Sequence, residues 1–229
     1  EVKADPTKEG YTFTGWDYSV NVEVVDGKFA MPAKDVALTA KWEAKSYTLT
    51  YDLDGGEWEN DTTYTYTKKY NEKVEVKADP TREGYTFTGW TTTDVTLNGK
   101  SFTMPAKDVT LTAKWDVNKY TVTWVNWDGS EVRTDKEVPY GTELKAPADP
   151  TREADAEYTY TFAGWTPKIE TVTGDATYIA TYTKEAKSYT LTYNLDGGAW
   201  ENDTTYTYTK KYNEEVKVKA DPTREGYTF

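Results

Sequence analysis

The chain has 229 residues, a formal net charge of −12, 9 Trp and 20 Tyr, and neither Cys nor His. Without Cys or His it carries no disulfide, no thiolate or imidazole metal site, no cysteine nucleophile and no Ser-His-Asp machinery. The acidic balance opposes nucleic acid and anionic bilayers, which select a basic face, and fits solubility and self-repulsion along an extended molecule.

In chain order the sequence repeats itself. Ala-Asp-Pro-Thr recurs at 4–7, 78–81, 148–151 and 220–223, and Gly-Trp follows at 15–16, 89–90 and 164–165. A fixed period marks an array, whose function belongs to the array and not to one catalytic centre. Residues 1–42 read as the C-terminal half of a repeat, with a tight loop at Met31–Asp35 and a last strand ending at Trp42.

Residues 45–115 read as a complete repeat. Tyr47, Leu49, Tyr51 and Leu53 alternate with Thr48, Thr50 and Asp52 in a first strand. Asp54-Gly55-Gly56 signals a hairpin turn, and Thr62–Tyr70 alternates Thr and Tyr as a second strand. Ala78–Gly84 is a turn or a single helical turn, with Asp79 as N-cap, Pro80 first and Gly84 as the stop. Tyr85–Phe87 is a third strand, Met104–Asp108 a tight loop and Val109–Trp115 the last strand. Tyr47, Leu49, Phe87, Trp90, Leu111 and Trp115 are the expected core.

Residues 116–184 are a complete but divergent repeat. Val172-Thr173-Gly174-Asp175 replaces Met-Pro-Ala-Lys-Asp, and Ala154–Glu157 insert before Tyr158. Residues 187–229 are the N-terminal half of a repeat. They copy 45–87 except at Asp52/Asn194, Glu57/Ala199, Lys73/Glu215 and Glu75/Lys217.

The chain opens and closes inside repeats, so it reads as a window from a longer polypeptide. Its two halves are complementary. Either the packed repeat is permuted, or another copy supplies the missing strands head to tail; the second is favoured, and the cover over Tyr189, Leu191 and Tyr193 decides. The joints, such as Glu43–Ser46, lack Gly and Pro, so they are not flexible linkers. An extended rod is expected. A repeat of ~70 residues is about 30 Å across, and three in line span on the order of 90–120 Å. Small-angle scattering checks this, and a compact globule of the same mass overturns it.

The string Pro-Thr-Arg-Glu-Gly-Tyr-Thr-Phe-Thr-Gly-Trp at 80–90, followed by Met-Pro-Ala-Lys-Asp-Val-Thr-Leu-Thr-Ala-Lys-Trp at 104–115, resembles the Listeria–Bacteroides repeat, the B-repeat of internalin-type bacterial surface proteins. The resemblance implies a mainly β fold (α+β at most) of tandem small β-grasp-like repeats, with a mostly antiparallel sheet and little helix. It also implies extracellular display on a bacterial cell surface or cell wall, and it brings no catalytic residues.

Candidate chemistry is sparse. Asp52–Glu57 faintly resembles a calcium loop but lacks the twelve-residue ligand spacing, and 194–199 loses two of its carboxylates. Acidic pairs such as Asp54 with Glu57, or Glu201 with Asp203, have the residue types of glycoside hydrolysis, but among 39 acidic residues such pairs arise by chance. Tyr64, Tyr66 and Tyr70, like Tyr206, Tyr208 and Tyr212, share one strand face. There they either stack on sugars or pack the sheet. The expected function is a non-enzymatic stalk displaying a distal domain, without metal, cofactor or membrane insertion; the alternative is an adhesive or glycan-binding module using the Tyr strands. Expected partners are neighbouring repeats, head-to-tail copies, and a host or glycan ligand.

Overall fold

The computed structural model describes residues 4–229. Among them are fourteen β-strands and no helix, as runs rich in Thr, Tyr and Val favour. The chain divides into two compact units, one ending at Asn118 and the other starting at Lys119.

The first unit holds β1 (Tyr11–Tyr18), β2 (Leu38–Ala44), β3 (Ser46–Asp52), β4 (Thr65–Lys69), β5 (Lys73–Glu75), β6 (Tyr85–Thr91), β7 (Ser101–Thr103) and β8 (Val109–Val117). β1 and β2 form an antiparallel pair. β3 to β8 make the complete repeat, a sheet of order β4-β3-β8-β6 beside a small β5-β7 pair. The first and last strands lie parallel at its centre, Leu49 opposite Val109 and Tyr51 opposite Leu111. Both outer pairings are antiparallel. This is the β-grasp strand order without its helix. A parallel pair needs a long crossover, and the whole excursion from Leu53 to Asp108 provides it.

The core lies between the sheet and the β5-β7 pair. Leu49, Tyr51 and Leu53 from β3 and its extension meet Val109 and Leu111 from β8, with Val74, Phe102 and Met104 as cover. Of the six expected core residues, Leu49 and Leu111 are fully buried, while Tyr47, Phe87, Trp90 and Trp115 are half-buried. A repeat this small buries a modest fraction of its surface, so its large rings close the edges of the core. Gly89 explains how the Gly-Trp motif contributes. It sits at a β-bulge with φ +137°. The extra residue lets Phe87 and Trp90, three apart, meet edge-to-face at 5.4 Å. The same bulge recurs at Gly15 and Gly164.

One local expectation needs correction and one open alternative is resolved. Asp54 and Gly55 both have positive φ, 47° and 82°, as a tight primed turn requires. That turn does not deliver the chain straight into β4, because the following segment first pairs Glu57 with Thr81. Of the two readings of Ala78–Gly84, a turn or a single helical turn, the structure has the turn. Thr81 spends its N–H on Glu57 O at 2.9 Å, and the chain reverses at Arg82–Tyr85.

The second unit holds β9 (Lys119–Val125), β10 (Glu131–Pro139), β11 (Tyr158–Thr166), β12 (Ala176–Ala186), β13 (Ser188–Thr192) and β14 (Thr207–Lys211). Its complete repeat has the same topology, β10-β9-β12-β11, with β9 and β12 parallel. The divergent loop keeps the contacts and changes the residues. Val172 exchanges backbone bonds with Gly141 and Thr142, as Met104 does with Asn71 and Glu72. Asp175 accepts the Thr121 N–H at 2.7 Å, as Asp108 accepts that of Thr48. Among the described residues β13 pairs with β14 alone. Tyr189 is exposed, and Leu191 and Tyr193 are only half-buried.

Candidate functional site: the joints and the tyrosine strands

Each unit contains a joint between consecutive repeats, built on a single lysine. β2 ends at Ala44 and β3 starts at Ser46; β12 ends at Ala186 and β13 starts at Ser188. The backbone of that lysine is used in both directions. Lys45 donates its N–H to Gly10 O at 2.9 Å and accepts the Tyr70 N–H at 2.8 Å. Lys187 donates to Glu157 O at 2.9 Å and accepts from Tyr212 at 2.7 Å. An aromatic pair closes each joint edge-to-face: Tyr11 with Tyr70 at 5.3 Å, and Tyr158 with Tyr212 at 5.5 Å. An ion pair flanks each, Lys69–Glu43 and Lys211–Glu185. Gly10 fits the first joint for two reasons. Its φ is +73°, and a Cβ there would lie 2.3 Å from the Tyr70 ring.

The structure separates the three tyrosines of each strand. Tyr64 is 39% exposed and stacks on Trp58 at 5.9 Å. Tyr66 turns onto the core and gives its hydroxyl proton to Thr63 O at 2.6 Å. Tyr70 belongs to the joint. Tyr206 stacks on Trp200 at 5.8 Å, Tyr208 bonds Thr205 O, and Tyr212 is in the second joint with its hydroxyl on Glu157 at 2.7 Å. Alternation does set Tyr66 and Tyr70 to one side of the strand, but that is the covered side. The exposed face of β4 is Thr65, Thr67 and Lys69. Tyr64 lines an open groove of about 490 Å³ with Asp52, Asp54 and Thr110.

The Listeria-Bacteroides repeat domain matches residues 47–114, 120–187 and 189–229, and the Divergent InlB B-repeat domain matches 1–46. The chain belongs to the Listeria-Bacteroides repeat family. It is 27% identical to a putative Gly-rich membrane protein of Evansella cellulosilytica, over 97% of this chain and 26% of that one. It is 41% identical to internalin H of Listeria monocytogenes, over 49% of this chain and 20% of that one. The chain thus spans about a quarter or less of these relatives. A solved structure of Streptococcal High Identity Repeats in Tandem (SHIRT) domains 3-4 from a cell surface protein aligns at 18% identity and TM-score 0.24, covering 61% of this chain and 98% of that one.

In two of these Listeria-Bacteroides repeats one lysine fills an aromatic corner. Lys77 lies 4.1 Å from the Trp58 ring and contacts Asp61 and the Tyr66 hydroxyl; Lys219 repeats this with Trp200, Asp203 and Tyr208. The Lys77 hydrogen bond, helped by the Thr63 N–H, holds the Asp61 carboxyl down to about 2. A depressed carboxylate stabilises the fold fully above its ordinary value near ~4 and loses that contribution as pH falls through the folded value. The corner around Trp58 is therefore expected to stay closed at pH 4 and open toward pH 2. Trp fluorescence of an Asp61→Asn chain should lose the part of the acid transition that this corner contributes.

The divergent repeat substitutes a stack that the sequence alone does not announce. Arg152 is sandwiched between Trp127 at 3.9 Å and Tyr160 at 3.6 Å. Asp155, from the insertion, accepts the Tyr160 hydroxyl at 2.6 Å. The acidic residues of the turn are engaged locally: Asp52 caps the Asp54 N–H, and Arg82 holds Asp54. Among the described residues no group of three acidic side chains is gathered for a metal.

Proposed function

We propose that this chain is a non-enzymatic stalk segment of a bacterial surface protein, extracellular and held at the envelope or cell wall, which carries a distal domain outward. The observation that carries this reading is the one-lysine joint: both of its backbone groups are bonded and a tyrosine pair locks it. Such a joint leaves little freedom to bend, whereas a Gly/Ser linker would behave as a coil. The kinship with internalin H and with putative membrane proteins supports a surface location.

The test uses the absence of cysteine. Spin labels on Thr39→Cys and Thr67→Cys lie on either side of the first joint. A narrow distance distribution is expected, broadened by Tyr70→Ala. A broad distribution with Tyr70 intact sinks the stalk reading.

A second reading, glycan binding, draws on one feature, the open groove beside the Tyr64–Trp58 stack and its counterpart Tyr206–Trp200. Stacking of this kind suits a sugar face. Screening the chain against glycans and host matrix proteins separates the two readings, with Tyr64→Ala plus Tyr206→Ala as the control. Binding abolished by that pair favours the module, and no binding at high concentration favours the stalk.

A further inference from the structure

The string Ala-Asp-Pro-Thr-Arg-Glu occurs in both complete repeats, at 78–83 and 148–153, but its arginine is used differently in each. In β3 to β8, Arg82 is tied into its own repeat. It donates to Asp54 O at 2.6 Å, pairs with the Asp54 carboxylate at 3.5 Å and lies 4.0 Å over the Tyr85 ring. In β9 to β12, the guanidinium of Arg152 lies between the Trp127 and Tyr160 rings. Arg82, Arg133 and Arg224 each pair with an aspartate. Arg152 pairs with no carboxylate among the described residues.

The acidic residues beside it in the chain are turned to other donors. Asp128 takes the Ser130 N–H at 3.0 Å and the Ser130 hydroxyl at 2.6 Å. Asp155 takes the N–H groups of Glu157 and Tyr158 at 2.8 and 2.7 Å, besides the Tyr160 hydroxyl. The insertion that sets this repeat apart thus fixes the Tyr160 ring without neutralising the arginine. Trp127 is 49% exposed, whereas Trp124 and Trp165 of the same repeat belong to its core. A guanidinium held flat between two rings is fixed in orientation, and its N–H groups leave through the edge of the stack. That fork matches the two oxygens of a carboxylate. The open part of the Trp127 ring supplies an apolar plane beside it.

We infer that Trp127, Arg152 and Tyr160 form a binding site for a carboxylate-bearing sugar, a uronic or sialic acid unit of a glycan. The carboxylate takes the edge of Arg152, and the C–H face of the sugar ring lies on the exposed part of Trp127. Charge selects this ligand. The site has one cation, and Asp128, Glu153, Asp155 and Glu157 flank its residues in the chain. A polyanion or an acidic peptide meets repulsion beyond its first charge; a single carboxylate on an otherwise neutral sugar does not. Trp, Tyr and Arg are also the side chains in which binding energy concentrates. The site lies in a different repeat from the Tyr64 groove, and it stands whether or not the chain serves as a stalk.

The test titrates sialyllactose and methyl glucuronide into the full chain, with lactose as the neutral control, and follows side-chain N–H signals by NMR. Saturable shifts of the Trp127 indole and Arg152 guanidinium signals are expected with at least one of the two acids, and none with lactose. Arg152→Lys keeps the charge and loses the fork, so binding should weaken about tenfold or more. Trp127→Ala should weaken it similarly, and Tyr64→Ala should leave it unchanged, which separates this site from the groove. The titration of the parent chain locates the ligand without any substitution, so a variant that fails to fold does not blunt the test. Neither acid shifting Trp127 and Arg152, lactose binding as well as its sialylated form, a Glu-rich peptide competing at equal concentration, or Arg152→Lys binding like the parent would each overturn the inference.

Discussion

Trp124→Ala is expected to unfold the repeat formed by β9 to β12 while β3 to β8 stay folded. Trp124 is fully buried. It stacks on Tyr178 at 4.7 Å, meets Trp165 edge-to-face at 5.0 Å and donates its indole N–H to Asp135 at 3.0 Å. Emptying a large aromatic site costs about 3–5 kcal/mol. A repeat of ~70 residues has about 3–10 kcal/mol in total, so the loss removes much or all of it. The other complete repeat has a separate core. Hydrogen exchange read strand by strand should show β9 to β12 deprotected and β3 to β8 unchanged. Full protection of β9 in the variant would refute the assignment of Trp124 as the centre of that core.

Gly56→Ala and Gly198→Ala should differ sharply although the two glycines occupy equivalent turns. An added Cβ at either position meets two carbonyl oxygens at 3.1 Å. At Gly56 it also meets the Trp115 ring at 2.5 Å, so the ring must leave. Overpacking costs about 1–3 kcal/mol, and the lost bond from the Trp115 indole to Leu53 O adds about 1 kcal/mol. Chemical denaturation should therefore place Gly56→Ala about 2–4 kcal/mol below the parent, with Gly198→Ala much closer to it. Equal effects would mean that backbone crowding alone decides, and that the indole is not what makes this glycine necessary.

The strands were legible because β-forming residues alternate without interruption, as in Tyr47 to Leu53 and Val109 to Trp115. The family string carried the strand order. What stayed hidden depends on which of two faces is covered. Tyr64, Tyr66 and Tyr70 look equivalent in sequence, yet one lines a groove, one packs the core and one locks a joint. Alternation assigns faces but does not say which face the β5-β7 pair covers. The joint itself was partly visible, since Lys-Ser-Tyr-Thr-Leu-Thr recurs at 45 and 187. Its partner Gly10 was not, because nothing local in Glu-Gly-Tyr reveals a ring that arrives from 60 residues away. The core exchange was hidden for a similar reason. Where one repeat sets Tyr51 against Leu111, the other sets Trp124 against Tyr178, and only the pairing register shows that the two positions change together.

The central parallel pair has a mechanical consequence. A complete repeat is entered at the start of β3 and left at the end of β8, and these two strands are direct neighbours running the same way. Tension applied through the joints would pull them lengthwise in opposite directions. Their cross-strand bonds would then be loaded together in shear, not opened one at a time like a zipper. The same holds for β9 and β12. Each complete repeat would resist extension far better than its modest thermodynamic stability implies, and would yield abruptly when the pair slips.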